Sequence, residues 1–221
     1  MRLFIAVTPP TRVRDRVENY ASKLRQTGKV SDARWVRGDQ YHVTLRFLGN
    51  TPVAWKPDLL EAVREVSTSL RNGPEVRFGS LVAFPRRSPR VLALASDDAS
   101  TQLLREARGR LHARLEARLP DLSPPDDRPL RPHLTLARLG RTARSAPATH
   151  LPHPPAFTFP PRIDLIHSDC ARAARSTPRW NRKRATRAPS EAAAKRNDDV
   201  VARAVLPRAV GDTVALTVAA A

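Results

Sequence analysis

The chain has 221 residues, 41% of them hydrophobic, and a formal net charge of +18. That length suffices for one domain with a buried core, or for two small lobes around a cleft, and the composition excludes a wholly disordered polymer. No apolar run is long enough to span a bilayer, and a single cysteine, Cys170, excludes an intramolecular disulfide, which fits a reducing cytoplasm.

Residues 3–7 form a short apolar run stopped by Thr8-Pro9-Pro10, which predicts a buried strand and not a signal peptide. Thr11 reads as the cap of a helix that places Val13, Val17, Tyr20, Ala21 and Leu24 on one face. A second strand is predicted within 34–49, its apolar core at 42–48. Asp58 reads as the cap of a helix bearing Leu59, Leu60, Val63, Val66 and Leu70, which ends at Asn72-Gly73. Residues 76–84 and 91–95 are a predicted strand pair across the 85–90 turn. Ser100 reads as the cap of a long helix with Leu103, Leu104, Ala107, Leu111, Leu115 and Leu119, which stops near Pro120. Residues 130–139 contain another predicted strand, and 157–167 one more. Residues 170–221 read as a basic, flexible tail.

The most informative feature is an internal repeat. His42-Val43-Thr44-Leu45-Arg46-Phe47-Leu48-Gly49 resembles His133-Leu134-Thr135-Leu136-Ala137-Arg138-Leu139-Gly140, with five of eight positions identical. Two helix–strand groups, each followed by such a strand, predict an α+β fold. It would have two pseudo-symmetric lobes, each an antiparallel sheet with helices on its outer face, around a central cleft.

Side chains alternate between the faces of a strand. His42, Thr44 and Arg46 are therefore expected on one face, with Val43, Leu45 and Phe47 on the other; His133 and Thr135 likewise share a face. A lone His-x-Thr is commonplace, but two copies in matching strands suit in-line cleavage of a phosphodiester. One imidazole removes a proton from the attacking group and the other protonates the departing oxygen, while threonine hydroxyls hold the phosphate. Histidine suits either role because its ordinary pKa, about 6.5, is close to neutrality. No metal or other cofactor is expected, since Cys170 and His167 lack enough companions for a zinc site.

These paired motifs resemble the two-histidine phosphoesterase superfamily, and within it the RNA 2',3'-cyclic phosphodiesterases, also known as the 2'-5' RNA ligase family. The resemblance runs over residues 1–169. It is carried by Arg2-Leu3-Phe4-Ile5-Ala6-Val7, Arg34-Trp35-Val36, the first motif, Phe84-Pro85 with Arg90-Val91-Leu92, and Arg131-Pro132 ahead of the second motif. It implies metal-independent hydrolysis of a terminal RNA 2',3'-cyclic phosphate to a 2'-phosphomonoester. His42 would be the proton donor, His133 the proton acceptor, and Thr44 and Thr135 the phosphate holders. RNA ligation in the reverse direction is a secondary expectation. Two departures stand out: 142–155 is proline-rich where the family has a helix, and nothing after Ser168 matches the family's closing strand.

Arg46 and Arg131 are further candidates for substrate binding. Phe47 and Tyr41 are expected to pack structurally, Trp35 to act as an anchor, and His112, His150 and His153 to be solvated. The positive charge admits both an RNA partner and a generally arginine-rich surface. Together these features point to a monomeric cytoplasmic enzyme acting on RNA ends, with no membrane partner. Two other readings stay open: a basic RNA-binding module with an idle cleft, and a two-histidine enzyme for small cyclic nucleotides or for ligation.

Overall fold

Eight strands form two antiparallel sheets in a computed structural model that describes residues 1–85, 87–143 and 148–168. In chain order the elements are β1 (Arg2–Val7), α1 (Thr11–Gln26), β2 (Ala33–Trp35), β3 (Val43–Asn50), α2 (Lys56–Leu70), β4 (Val76–Phe84) and β5 (Val91–Ser96). They continue with α3 (Asp98–Arg118), β6 (His133–Leu139), β7 (Phe157–Phe159) and β8 (Ile163–His167). One sheet has the order β3-β1-β8. The other, of five strands, has the order β2-β6-β5-β4-β7, and one of the sheets is strongly curled. The α+β class is as expected. The expected tail lies outside the described residues.

The periodic helices appear with the faces their sequences encode. α1 buries Val13, Val17, Tyr20, Ala21 and Leu24, the residues spaced for one face. The caps differ from expectation. Thr11 is already helical and Pro10 precedes it without a side-chain cap, while α2 starts two residues before Asp58, with Pro57 in its first turn. For α3 the cap is Asp97, whose carboxylate accepts from the Ser100 amide at 2.8 Å. Ser100 instead turns its hydroxyl to the backbone amide of Arg77, also at 2.8 Å, and fastens the helix start to β4.

The single strand expected over 157–167 is two strands in different sheets. Pro160 and Pro161 interrupt the run and supply no amide donor. β7 pairs with β4, whereas β8 pairs with β1. Tyr20 ties the segment before β7 to α1 through a 2.6 Å bond to the Pro152 carbonyl.

The two sheets share one continuous hydrophobic core, from Ile5, Val43 and Leu165 through Leu59 and Leu111 to Leu92, Leu134 and Phe157. The expected two lobes are therefore not clearly marked off by separate cores. α1 packs against β7 of the five-stranded sheet, α2 against β8 of the other, and α3 touches α2, β3 and β4.

His112 corrects another expectation. It lies on α3, half-buried, with Nε2 enclosed and without a hydrogen-bond partner. Burial, reinforced by the charges of Arg46 and Arg108, lowers its pKa to about 4. The unfolded chain keeps a normal imidazole, so between these values it binds more protons than the folded chain. Stability is present above the ordinary histidine pKa and is lost as pH falls toward 4. Thermal unfolding followed from about pH 7 to about pH 4.5 should therefore show a steeper acid loss for the wild type than for His112→Gln. The difference should be on the order of 1–2 kcal/mol at the acid end. Parallel profiles would show that the imidazole is not held neutral.

Candidate active site

The two repeated segments carry the same irregularity. Ile5 pairs with Arg46 and the next residue, Ala6, with Thr44, which leaves Leu45 as one extra residue in β3. Leu92 pairs with Ala137 and Ala93 with Thr135, which leaves Leu136 extra in β6. Each is a β-bulge, and an extra residue reverses the in–out alternation beyond it. The burial confirms the reversal. Leu45 and Arg46 are both buried and Phe47 is exposed; Leu136 and Ala137 are both buried and Arg138 is exposed. The His/Thr faces therefore continue into Phe47 and Arg138, not into Arg46.

The histidines stand at matching points, directly before β3 and at the start of β6, and both are half-buried. His42 Nδ1–H donates to the Gln40 carbonyl at 2.7 Å, and His133 Nδ1–H donates to the Arg131 carbonyl at 2.9 Å. A carbonyl only accepts, so each bond fixes the proton on Nδ1 and leaves Nε2 as the working nitrogen. A phenylalanine backs each ring. Phe4 lies 4.9 Å from His42 between centroids, and Phe84 meets His133 edge-on at 4.8 Å.

β3 and β6 belong to different sheets but approach each other, and the Val36 amide bonds to the Leu136 carbonyl at 2.8 Å beside the second bulge. This brings the two histidines into electrostatic contact. Burial lowers the His42 pKa below its ordinary value, and the charges of Arg138 and His133 lower it further, against the opposing effect of the Gln40 carbonyl. With one imidazole neutral and the other protonated, the pair could accept and donate a proton on either side of a common substrate atom.

Thr44 and Thr135 are half-buried on the same faces as their histidines, as expected. Arg46 is not. It is 8% exposed, and its guanidinium donates to the Ser123 carbonyl at 2.7 Å, on the α3 side of β3. Arg131 has an exposed side chain, and its carbonyl is the part that orients His133. Tyr41 is buried, with its hydroxyl on Glu18 at 2.9 Å, and Trp35 packs on the core under the Arg25 guanidinium, both as expected. Phe47, expected in the core, is 75% exposed. His150 and His153 are exposed, as expected. Among the described residues no cluster of three or more potential metal ligands occurs, and no helix is long and apolar enough to cross a membrane.

A family profile described as LigT-like phosphoesterase matches residues 7–93, which include the first motif. TT0787 of Thermus thermophilus is similar in structure with a TM-score of 0.53 and 29% identity, over 76% of this chain and 89% of that one. Over these residues the chain is similar to the LigT-like phosphoesterases. Escherichia coli LigT, solved with ATP, shares the fold at 22% identity and a TM-score of 0.54, over 77% of this chain and 89% of its own. The PDE domain of MHV ns2 shares it at 15% identity and a TM-score of 0.54, over 76% and 99% respectively. No curated protein matched by sequence.

Within this site, sequence reading missed Arg138, a charged side chain that acts on His42. A signal was available. Arg46 aligns in the repeat with Ala137, which cannot bind phosphate, whereas Phe47 aligns with Arg138. Removing the Arg138 charge should raise the His42 pKa, because that charge disfavours the imidazolium. Arg138→Gln should therefore shift the His42 titration, followed by NMR of the ring protons, to higher pH. An unmoved titration would place Arg138 outside the electrostatic reach of the site.

Proposed function

We propose that this LigT-like phosphoesterase hydrolyses terminal 2',3'-cyclic phosphates on RNA to 2'-phosphomonoesters, without a metal ion. The observation that carries the reading is the matched pair of imidazoles, each with its proton fixed on Nδ1 and Nε2 left to work, on two strands that approach each other. Water attacks phosphorus in line with the departing 3'-oxygen. His133 Nε2 takes a proton from the water as the new P–O bond forms. The P–O3' bond breaks, and His42 Nε2–H gives its proton to O3'. The product is a 2'-phosphomonoester and a free 3'-hydroxyl, with one proton moved from water to the leaving group by way of the two rings.

The assignment of donor to His42 and acceptor to His133 follows the family resemblance. The depressed pKa of His42 bears on it directly. A donor must be protonated, and nearby positive charge opposes protonation in the free enzyme. An anionic phosphate between the rings offsets that opposition and raises the His42 pKa once substrate is bound. Thr44 and Thr135 donate to the non-bridging oxygens, and Arg138 balances their charge as the pentacoordinate phosphorus develops. Arg46, turned toward Ser123, has no part in this step.

The test is turnover of an oligonucleotide ending in a 2',3'-cyclic phosphate, in EDTA, with the product phosphate located by NMR. His42→Ala and His133→Ala should each lose roughly 100-fold or more, and EDTA should cost nothing. A 3'-phosphate product would reverse the leaving group. Near-wild-type turnover in either variant would remove the two-histidine mechanism. RNA binding that survives both substitutions, in a wild type with no turnover, would favour the idle-cleft reading.

A further inference from the structure

α1 and the proline-rich segment ahead of β7 enclose a half-open cavity of about 340 Å³. At its base is Tyr20, which is buried and whose hydroxyl is spent on the Pro152 carbonyl at 2.6 Å. Pro152 and Pro155 form one wall. Two permanent cations of α1, Arg16 and Lys23, and the imidazole of His153 stand around it, and no lining residue is acidic. Residues 16, 19, 20 and 23 fall on one stripe of a helix, so the spacing of α1 itself gathers Arg16, Asn19 and Lys23 over Tyr20.

Arg16 is held in advance. One nitrogen of its guanidinium donates to the Ala156 carbonyl at 3.2 Å, and the group lies 5.5 Å from the centre of the Phe157 ring. Lys23 and His153 are exposed. Glu18, on the same helix, is turned to Arg25 and Tyr41 and does not line the cavity. Cations gathered without a carboxylate repel one another, and a bound anion relieves that repulsion. The proline wall suits a flat, weakly polar ring, and the volume is that of a small-ligand site.

We propose that this cavity is a second binding site, for a nucleoside monophosphate unit. Arg16, Lys23 and His153 hold its phosphate, and its base lies against Pro152 and Pro155. The site is separate from the histidines and does not depend on the proposed reaction. β7, whose Phe157 carries Arg16, stands three places from β6 in the sheet, a lateral spacing of about 14 Å. Two sources carry this chemistry: a free mononucleotide, and an upstream nucleotide of an RNA whose end occupies the cleft.

The experiment is an NMR titration of the full chain with adenosine 5'-monophosphate and, separately, inorganic phosphate. The nucleotide should move the His153 ring signals along a saturating curve, and inorganic phosphate should bind several-fold more weakly because it lacks the base. Lys23→Glu should weaken the nucleotide curve by about ten-fold, Lys23→Arg should keep it, and neither should alter the response of His42 and His133. Lys23 is exposed, so both variants keep the core; circular dichroism checks this. His153 signals that do not move or do not saturate, or a curve that Lys23→Glu leaves in place, would overturn the site. Equal affinity for inorganic phosphate would overturn its assignment to a nucleotide. Turnover then separates the sources. A KM raised by Lys23→Glu on a longer RNA 2',3'-cyclic phosphate, but not on a mononucleoside one, identifies the occupant as part of the RNA. An unchanged KM on both, with the nucleotide bound as expected, identifies a free nucleotide.

Discussion

One extra residue directly after each His-x-Thr organises this site, and β3 carries a second, at Leu48, that β6 lacks. A regular strand would carry His42, Thr44 and Arg46 on one face and bury Phe47. The bulge at Leu45 ends that alternation after Thr44, and the bulge at Leu136 does the same after Thr135. A bulge bends its strand and sharpens its twist, which suits strands that must leave their sheets and lean toward each other. The same irregularity therefore sets which side chains enter the cleft and helps to bring β3 and β6 together. The two repeats share the bulge that follows the threonine and differ in chemistry at the sixth position, Phe47 against Arg138.

Arg46 shows where the displaced side chain goes. Its guanidinium is buried and bonded to the carbonyl of Ser123, in the segment that joins α3 to β6. That bond ties the strand after the first motif to the chain leading into the second. A charge there is costly unless bonded. Its field, together with burial, keeps His112 neutral on the neighbouring helix. Two residues that read from sequence as surface chemistry thus belong to the packing that supports the cleft.

Much of the fold was legible because period and punctuation are local. The α1 face, the β4–β5 pair and the end of α3 before Pro120 follow from spacing alone. The candidate histidine pair was legible because the repeat duplicates His and Thr on the side of the bulge where alternation still holds. The side chains beyond it were not, since period two counts every residue and a bulge leaves no residue-type mark in Leu45 or Leu136. The split of 157–167 was obscured by hydrophobicity on both sides of Pro160-Pro161, although the prolines themselves marked it. The division into two lobes is not clearly marked, for a different reason. Which sheet a helix covers is a tertiary choice, and here α1 and α2 pack on different sheets over one shared core.

The central claim is that two imidazoles, both with the proton fixed on Nδ1, direct Nε2 at one phosphate. Nitrogen-15 NMR of the histidine rings tests it most directly, with His42 and His133 assigned by substitution and adenosine 2'-phosphate added stepwise. The account predicts that both neutral rings are the Nδ1–H tautomer and that both Nε2 signals move together along a single binding curve. An Nε2–H tautomer in either ring, or a phosphate that moves one ring and leaves the other unchanged, would contradict it.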